Sequence, residues 1–170
     1  MSSYARSVYP FMPVLLPRLQ HQELTPPERR KEPRPESRKH KPQTDAKLKT
    51  ILIVDDQIGE RKVIRSAVES FTDFRVCGEA KNGTEAIQRA KELKPDLIIM
   101  DLAMPLMNGL EAASVVKNEL PLVSVVLFTL YADLVGPRSA MFGVTAVLSK
   151  EDGLSPLLDC IKNLLGSHQT

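Results

Sequence analysis

From residue 50 onward, short apolar runs alternate with stretches whose apolar residues recur every three or four positions. The runs TILIVD (50–55), FRVCGEA (74–80), DLIIMD (96–101), SVVLFT (124–129) and TAVLSK (145–150) read as strands. Three of them are rich enough in Val, Ile and Leu to be buried on both faces, as strands of a parallel sheet are. Between the runs the period changes. GERKVIRSAVESF puts Val63, Ile64, Ala67, Val68 and Phe71 on one helical stripe, and GTEAIQRAKEL does the same with Ala86, Ile87, Ala90 and Leu93. GLEAASVVKNEL aligns Leu110, Ala113, Val116 and Leu120, and SPLLDCIKNLLG predicts a helix with Ser155 as N-cap, Pro156 in its first turn and Gly166 as its stop. A fourth helix is weakly specified. Gly136 and Pro137 interrupt LYADLVGPRSAM, so a short, mobile helix starting late, near Pro137, is expected.

Five βα repeats predict an α/β domain with a doubly wound, parallel, five-stranded sheet of the flavodoxin-like type and helices on both faces. In such sheets ligands bind beyond the carboxyl ends of the strands. The residues there are Asp55 and Asp56 after the first run, Asp101 closing the third, Thr129 the fourth and Lys150 the fifth. A strand-end Asp or Thr is by itself a common cap or turn former. Four separate strand ends delivering three carboxylates, a hydroxyl and an amine to one rim is a different matter. Three carboxylates at one point repel unless a hard cation is shared among them, and an oxygen-only set with bound waters suits Mg2+. Mg2+, a hydroxyl and an ammonium together would receive a phosphoryl group, with one carboxylate as nucleophile. Asp101 is the best candidate, since the other two acids are left to hold the metal.

The segments ILIVDD, DLIIMDLAMPLMNGLEA, VVLFT and AVLSK resemble the response-regulator receiver domain of two-component signalling, over residues 50–166. The spacings agree: 45 positions from Asp56 to Asp101, 28 from there to Thr129 and 21 on to Lys150. The resemblance implies that Asp101 accepts a phosphoryl group from a histidine kinase or phosphotransfer protein. It implies that Asp56, Asp101 and the carbonyl of Ala103 bind Mg2+ directly, with Asp55 acting through water. Thr129 and Lys150 would contact the phosphoryl oxygens, and Pro105 and Gly109 would shape the loop after the phosphosite.

Some positions depart from the family pattern. Val147 stands three residues before Lys150, where receivers usually carry a switching aromatic, and valine has no large rotamer change to transmit. Glu151 replaces the frequent proline after the lysine, removing a cis-proline joint. Ala103 cannot orient an attacking water, Tyr131 is large enough to shield the site, and Leu130 is bulky enough to narrow access for small phosphodonors. Slow self-dephosphorylation is the expectation.

Charge divides the chain. Residues 1–49 hold 11 Lys and Arg against 5 Asp and Glu, while residues 50–170 hold 12 against 16. The first stretch also holds 8 of the 13 prolines and no glycine, and segments such as TPPERRKEPRPESRKHKP have no apolar face to offset their ordering entropy. A disordered basic Pro-rich tail over 1–49, the receiver over 50–166 and a short C-terminal tail over 167–170 are expected. VYPFMPVLLP is apolar but broken by three prolines and too short to cross a bilayer, which argues against an anchor or a signal peptide. Cys77 and Cys160 have no paired spacing and suit a reducing compartment.

The tail lacks the aromatic interleaving of a single-strand binder, and SHQT leaves no room for a helix-turn-helix module, so direct DNA binding is not expected. Output would run through an unidentified downstream protein, and homodimerisation is compatible with the reading. The expectation is therefore a cytoplasmic, bacterial, non-enzymatic phosphoacceptor without membrane insertion. The competing reading is a receiver-derived scaffold independent of phosphorylation. A nucleotide-binding domain on the same fold is disfavoured, because DDQIGE puts charge where a diphosphate needs backbone donors.

Overall fold

The computed structural model of the chain describes residues 48–166. The expectations for the Pro-rich tail, apart from Leu48 and Lys49, and for residues 167–170 lie outside the described residues. Five strands form one sheet: β1 (Thr50–Val54), β2 (Arg75–Ala80), β3 (Leu97–Met100), β4 (Ser124–Thr129) and β5 (Ala146–Ser149). Their order is β2-β1-β3-β4-β5, and every pairing is parallel. The predicted fold class therefore holds.

Period-two alternation within the strands assigns residues to two cores. Ile51, Ile53, Leu97, Ile99, Val126 and Phe128 face one way, against α1 (Ile58–Phe71) and α5 (Leu154–Gly166). Leu52, Val54, Ile98, Met100, Val125 and Leu127 face the other, against α2 (Gly83–Leu93) and α3 (Gly109–Glu119). β1, β3 and β4 are buried along nearly their whole length, which is why their sequences are continuous apolar runs; β2 and β5 are the partly exposed edges.

Three expectations need correction. Val63 and Phe71 are exposed rather than part of the α1 stripe, whose buried residues are Ile64, Ala67 and Val68. The stripe that α1 buries against the sheet is narrower than its apolar composition. The last helix begins at Leu154, so Ser155 is inside its first turn and is not the N-cap. The fourth helix does not start late at Pro137. A single α-turn, α4 (Ala132–Val135), comes first, and the Gly-Pro pair converts it into a 3-10 helix over Gly136–Phe142. Gly136, at φ 47, breaks the α geometry, and the proline then fits the first turn of the tighter helix.

Candidate functional site

The strand order reverses at β1 and β3, so a crevice opens between their carboxyl ends. Backbone ladders run one residue beyond both strands: Asp55 N donates to Ala80 O at 3.1 Å and Asp101 N to Val54 O at 2.8 Å. These bonds fix the main chain of the two acids rigidly at the crevice mouth. Thr129 is still in register with Ser149 at the end of β4, and Lys150 opens a short 3-10 turn directly after β5.

The side chains converge. Lys150 Nζ donates to Asp55 Oδ2 at 2.6 Å and lies 3.5 Å from Asp101 Oδ1. The exposed fractions of these side chains are 10% for Lys150, 2% for Asp55 and 8% for Asp101, so the charges sit largely out of water. The other oxygen of Asp55 accepts from Gln57 N at 2.8 Å. Thr129 is fully buried, and its Oγ1 accepts from Tyr131 N at 3.3 Å.

Burial and the neighbouring charge of Asp55 push the Asp101 carboxyl above the usual range, although Lys150, a hydrogen bond from Thr129 and the Leu102 main chain pull the other way. Burial would lower Lys150, but the hydrogen bond to Asp55 and the charges of Asp101 and Asp55 outweigh it and hold the ammonium above its ordinary value. The arrangement therefore keeps a cation between two buried carboxylates at neutral pH.

Asp56 differs from its neighbour. Its side chain is exposed, and among the described residues no group of three acidic, histidine or cysteine side chains gathers around one point. The donors at the mouth are carboxylate and main-chain oxygens, the chemistry of a hard cation that keeps several waters and needs only one or two carboxylates. Asp55, Asp101 and the adjacent exposed Asp56 and Ala103 fit a Mg2+ ion on that ground.

The loop after Asp101 is tightly drawn. Gly109 N donates to Leu102 O at 2.9 Å, and a Cβ at Gly109 would stand 2.2 Å from the Asp101 carbonyl oxygen, so only glycine fits. Met107 N bonds to Pro105 O at 2.9 Å across Leu106, whose φ is 71, a γ-turn in a conformation unusual for leucine. Leu130 and Tyr131 follow Thr129 and are exposed; Val147 pairs with Leu127 and packs against the α2–α3 core.

Two participants were not singled out in the sequence, Arg61 and Glu79. Arg61 donates to Glu79 at 3.0 Å and to the carbonyl of Asp55 at 2.7 Å. Nothing in a linear pattern marks an arginine on the polar side of α1 as turned back toward the acid loop.

Residues 51–162 match the model of the response regulator receiver domain. Over 113 residues the chain is 41% identical to the response regulator protein VraR of Staphylococcus saprophyticus, covering 66% of this chain and 54% of the relative. Over 90 residues it is 44% identical to a protein-glutamate methylesterase/protein-glutamine glutaminase of Methanosarcina acetivorans, covering 53% of this chain and 25% of that protein. The chain thus spans about half the length of the first relative and about a quarter of the second. Among solved structures, the response regulator domain of Thermotoga maritima CheB superposes with a TM-score of 0.64 at 28% identity, over 70% of this chain and 97% of that one. The response regulator TrrA of Thermotoga maritima, in complex with Mg2+ and BeF, gives 0.64 at 26% identity, over 69% and 100%. Sheet order, the acids at the switch point and a family match across most of the chain lead to one conclusion: this chain belongs to the receiver domains of two-component response regulators.

Proposed function

We propose that residues 50–166 form a phosphoacceptor receiver that takes a phosphoryl group onto Asp101. The observation that carries this reading is the pair of buried carboxylates, Asp55 and Asp101, flanking the Lys150 ammonium at 2.6 and 3.5 Å. An Asp101 oxygen attacks the phosphorus of a phosphohistidine on a histidine kinase or phosphotransfer protein, the P–N bond breaks, and the imidazole leaves. Lys150 then moves its charge from Asp55 to the arriving phosphoryl oxygens, and the Thr129 hydroxyl donates to another of them. Asp55, Asp56, Asp101 and the Ala103 carbonyl would hold Mg2+, which when bound neutralises charge on the transferring phosphoryl group.

The protein is on this reading a signalling partner whose only chemistry is its own phosphorylation and slow dephosphorylation. Tyr131 and Leu130, exposed directly after Thr129, would screen the mouth, and Ala103 offers no group to direct a water. Among the described residues no helix is long and apolar enough to cross a membrane. A cytoplasmic location and a downstream protein partner complete the proposal, and homodimer formation is compatible with it.

A second reading, a phosphorylation-independent scaffold, draws on Val147 in place of an aromatic and on the abrupt end of α4 at Val135. One measurement separates the two: intact-mass analysis after incubation with Mg2+ and acetyl phosphate or a histidine kinase. The phosphoacceptor reading expects a one-phosphoryl gain that is absent in Asp101→Asn. No gain with either donor would leave the scaffold.

A further inference from the structure

The acid loop is gripped from behind by one side chain. Arg61 lies in the second turn of α1, with only 13% of its side chain exposed. Its guanidinium makes three bonds: Nε donates to Glu79 Oε2 at 3.0 Å, and one terminal nitrogen donates to the carbonyls of Asp55 at 2.7 Å and Asp56 at 3.4 Å. Glu79 is on β2, paired with Ile53 of β1, so the anchor belongs to the sheet itself. Its second oxygen accepts from Arg65 Nε at 2.7 Å. Arg65 continues to Glu69 and Val76 and touches neither acid carbonyl.

We propose that Arg61 is a positioning residue for the acid pair: anchored by Glu79, its planar fork clamps the main-chain carbonyls of Asp55 and Asp56 and so aims their carboxylates at a divalent cation. The inference rests on the metal reading above and extends it to a residue outside the acid, hydroxyl and lysine set. A guanidinium suits the task because its donors are fixed in one plane, so a bond to Glu79 dictates where the terminal nitrogen points. Asp55 is then held at both ends, by Arg61 at its carbonyl and by Gln57 N at its carboxylate. The Glu79 carboxylate, which burial would raise but Arg65 and Arg61 hold below its ordinary value, stays ionised and offsets the guanidinium charge.

The sign of one effect separates positioning from a plain electrostatic field. A positive group beside a cation site repels the cation, so on charge alone Arg61→Gln would tighten Mg2+ binding. Positioning demands the opposite. Partners that orient metal ligands without touching the metal are commonly worth a factor of about 10 to 100 in affinity.

The experiment is calorimetric titration of the full chain with Mg2+ alone, with amide exchange at Gln57 as a metal-free readout. Arg61→Gln is expected to weaken Mg2+ binding on the order of tenfold and to speed exchange at Gln57. Arg61→Lys should recover part of the loss, since an ammonium can serve a carbonyl but cannot bridge to Glu79 in the same plane. Arg65→Gln, which takes a partner from the same Glu79, should lower thermal stability and leave both readouts unchanged. If Arg61→Gln does not fold, Glu79→Gln takes its place with a smaller loss of affinity in the same direction. Binding by Arg61→Gln as tight as the parent's or tighter, or an equal loss in Arg65→Gln, overturns the inference. Asp56→Asn distinguishes the two levels. A parent chain that ignores Mg2+, or an Asp56→Asn variant that binds as well as the parent, overturns the metal reading and this inference with it. Binding lost in Asp56→Asn but intact in Arg61→Gln overturns this inference alone.

Discussion

Two of the helices that follow site-bearing strands are built in opposite ways. β3 delivers Asp101 and leads into α3, which has 11 residues and a complete capping box: Asn108 accepts from Glu111 N at 2.9 Å, and the Glu111 side chain returns to Asn108 N at 3.3 Å. Four of its residues are buried. β4 delivers Thr129 and leads into α4, which has 4 residues, no side-chain cap and one buried residue, Val135. Leu134 and Met141 on that side are 81% and 84% exposed. The Asp101 end of the crevice is therefore held by close packing and short hydrogen bonds. The hydroxyl end hangs on a turn. The difference teaches that equivalent substitutions on the two sides should act through different physical terms.

A glycine-to-alanine pair tests this most sharply. At Gly109 an added Cβ meets the Asp101 carbonyl oxygen at 2.2 Å, backbone against backbone, with nothing flexible to yield. Gly109→Ala is expected to cost about 3 kcal/mol or more by overpacking and to displace the loop after Asp101. At Gly136 a Cβ meets nothing within 4 Å, and the penalty comes only from φ 47. Gly136→Ala should cost about 1 to 2 kcal/mol, or less where the 3-10 segment relaxes. Urea denaturation of both variants checks the order, and equal losses would erase the proposed contrast.

The same contrast explains what could be read from the sequence. The sheet was legible because β1, β3 and β4 are buried on both faces, which forces uninterrupted Val, Ile and Leu. Asp55, Asp101, Thr129 and Lys150 were legible because a parallel sheet brings its strand ends to one rim. The start of the fourth helix was misplaced, since the Gly136-Pro137 signal was read as a beginning and acts as a change of helix type. Arg61 was not found because its role depends on the direction of a long side chain, which helical periodicity does not encode. Val63 and Phe71 misled for a related reason: apolar spacing marks a stripe but does not say how much of it the sheet can cover.

Capping gives a smaller and more local test. Asn108→Ala removes the side-chain acceptor for Glu111 N and leaves only the return bond from the main-chain N–H of residue 108 to the Glu111 carboxylate, at a cost of about 1 kcal/mol. The effect should appear in amide exchange at the first turn of α3, beside the loop that ends at Gly109. No comparable cap exists to be lost at α4, so amides over residues 132–142 should already exchange faster than those of α3 in the parent chain. Uniform protection across 132–142 would contradict the short, mobile α4 side.

The smallest expected shift is in pH dependence, and its sign is fixed by Asp101. Burial and the Asp55 charge raise its native carboxyl above the value of 3.8 that it has when unperturbed. The folded state therefore binds the Asp101 proton more tightly than the unfolded state does. This group favours folding fully below 3.8, and its contribution is lost as pH rises through the raised native value. Once ionised, Asp101 is a net cost, so above its raised native value Asp101→Asn should unfold at higher denaturant concentration than the parent, and its advantage should shrink steadily as the buffer is acidified through that window. On the opposite side of the crevice Thr129→Ala removes a hydrogen bond that favours the ionised form of Asp101, so its loss of stability should be larger where Asp101 is ionised and should shrink on acidification, opposite in sign to the Asp101→Asn gain. A gain in Asp101→Asn that persists unchanged into acid would mean that the buried charge is not its origin, and that Lys150 compensates both acids alike.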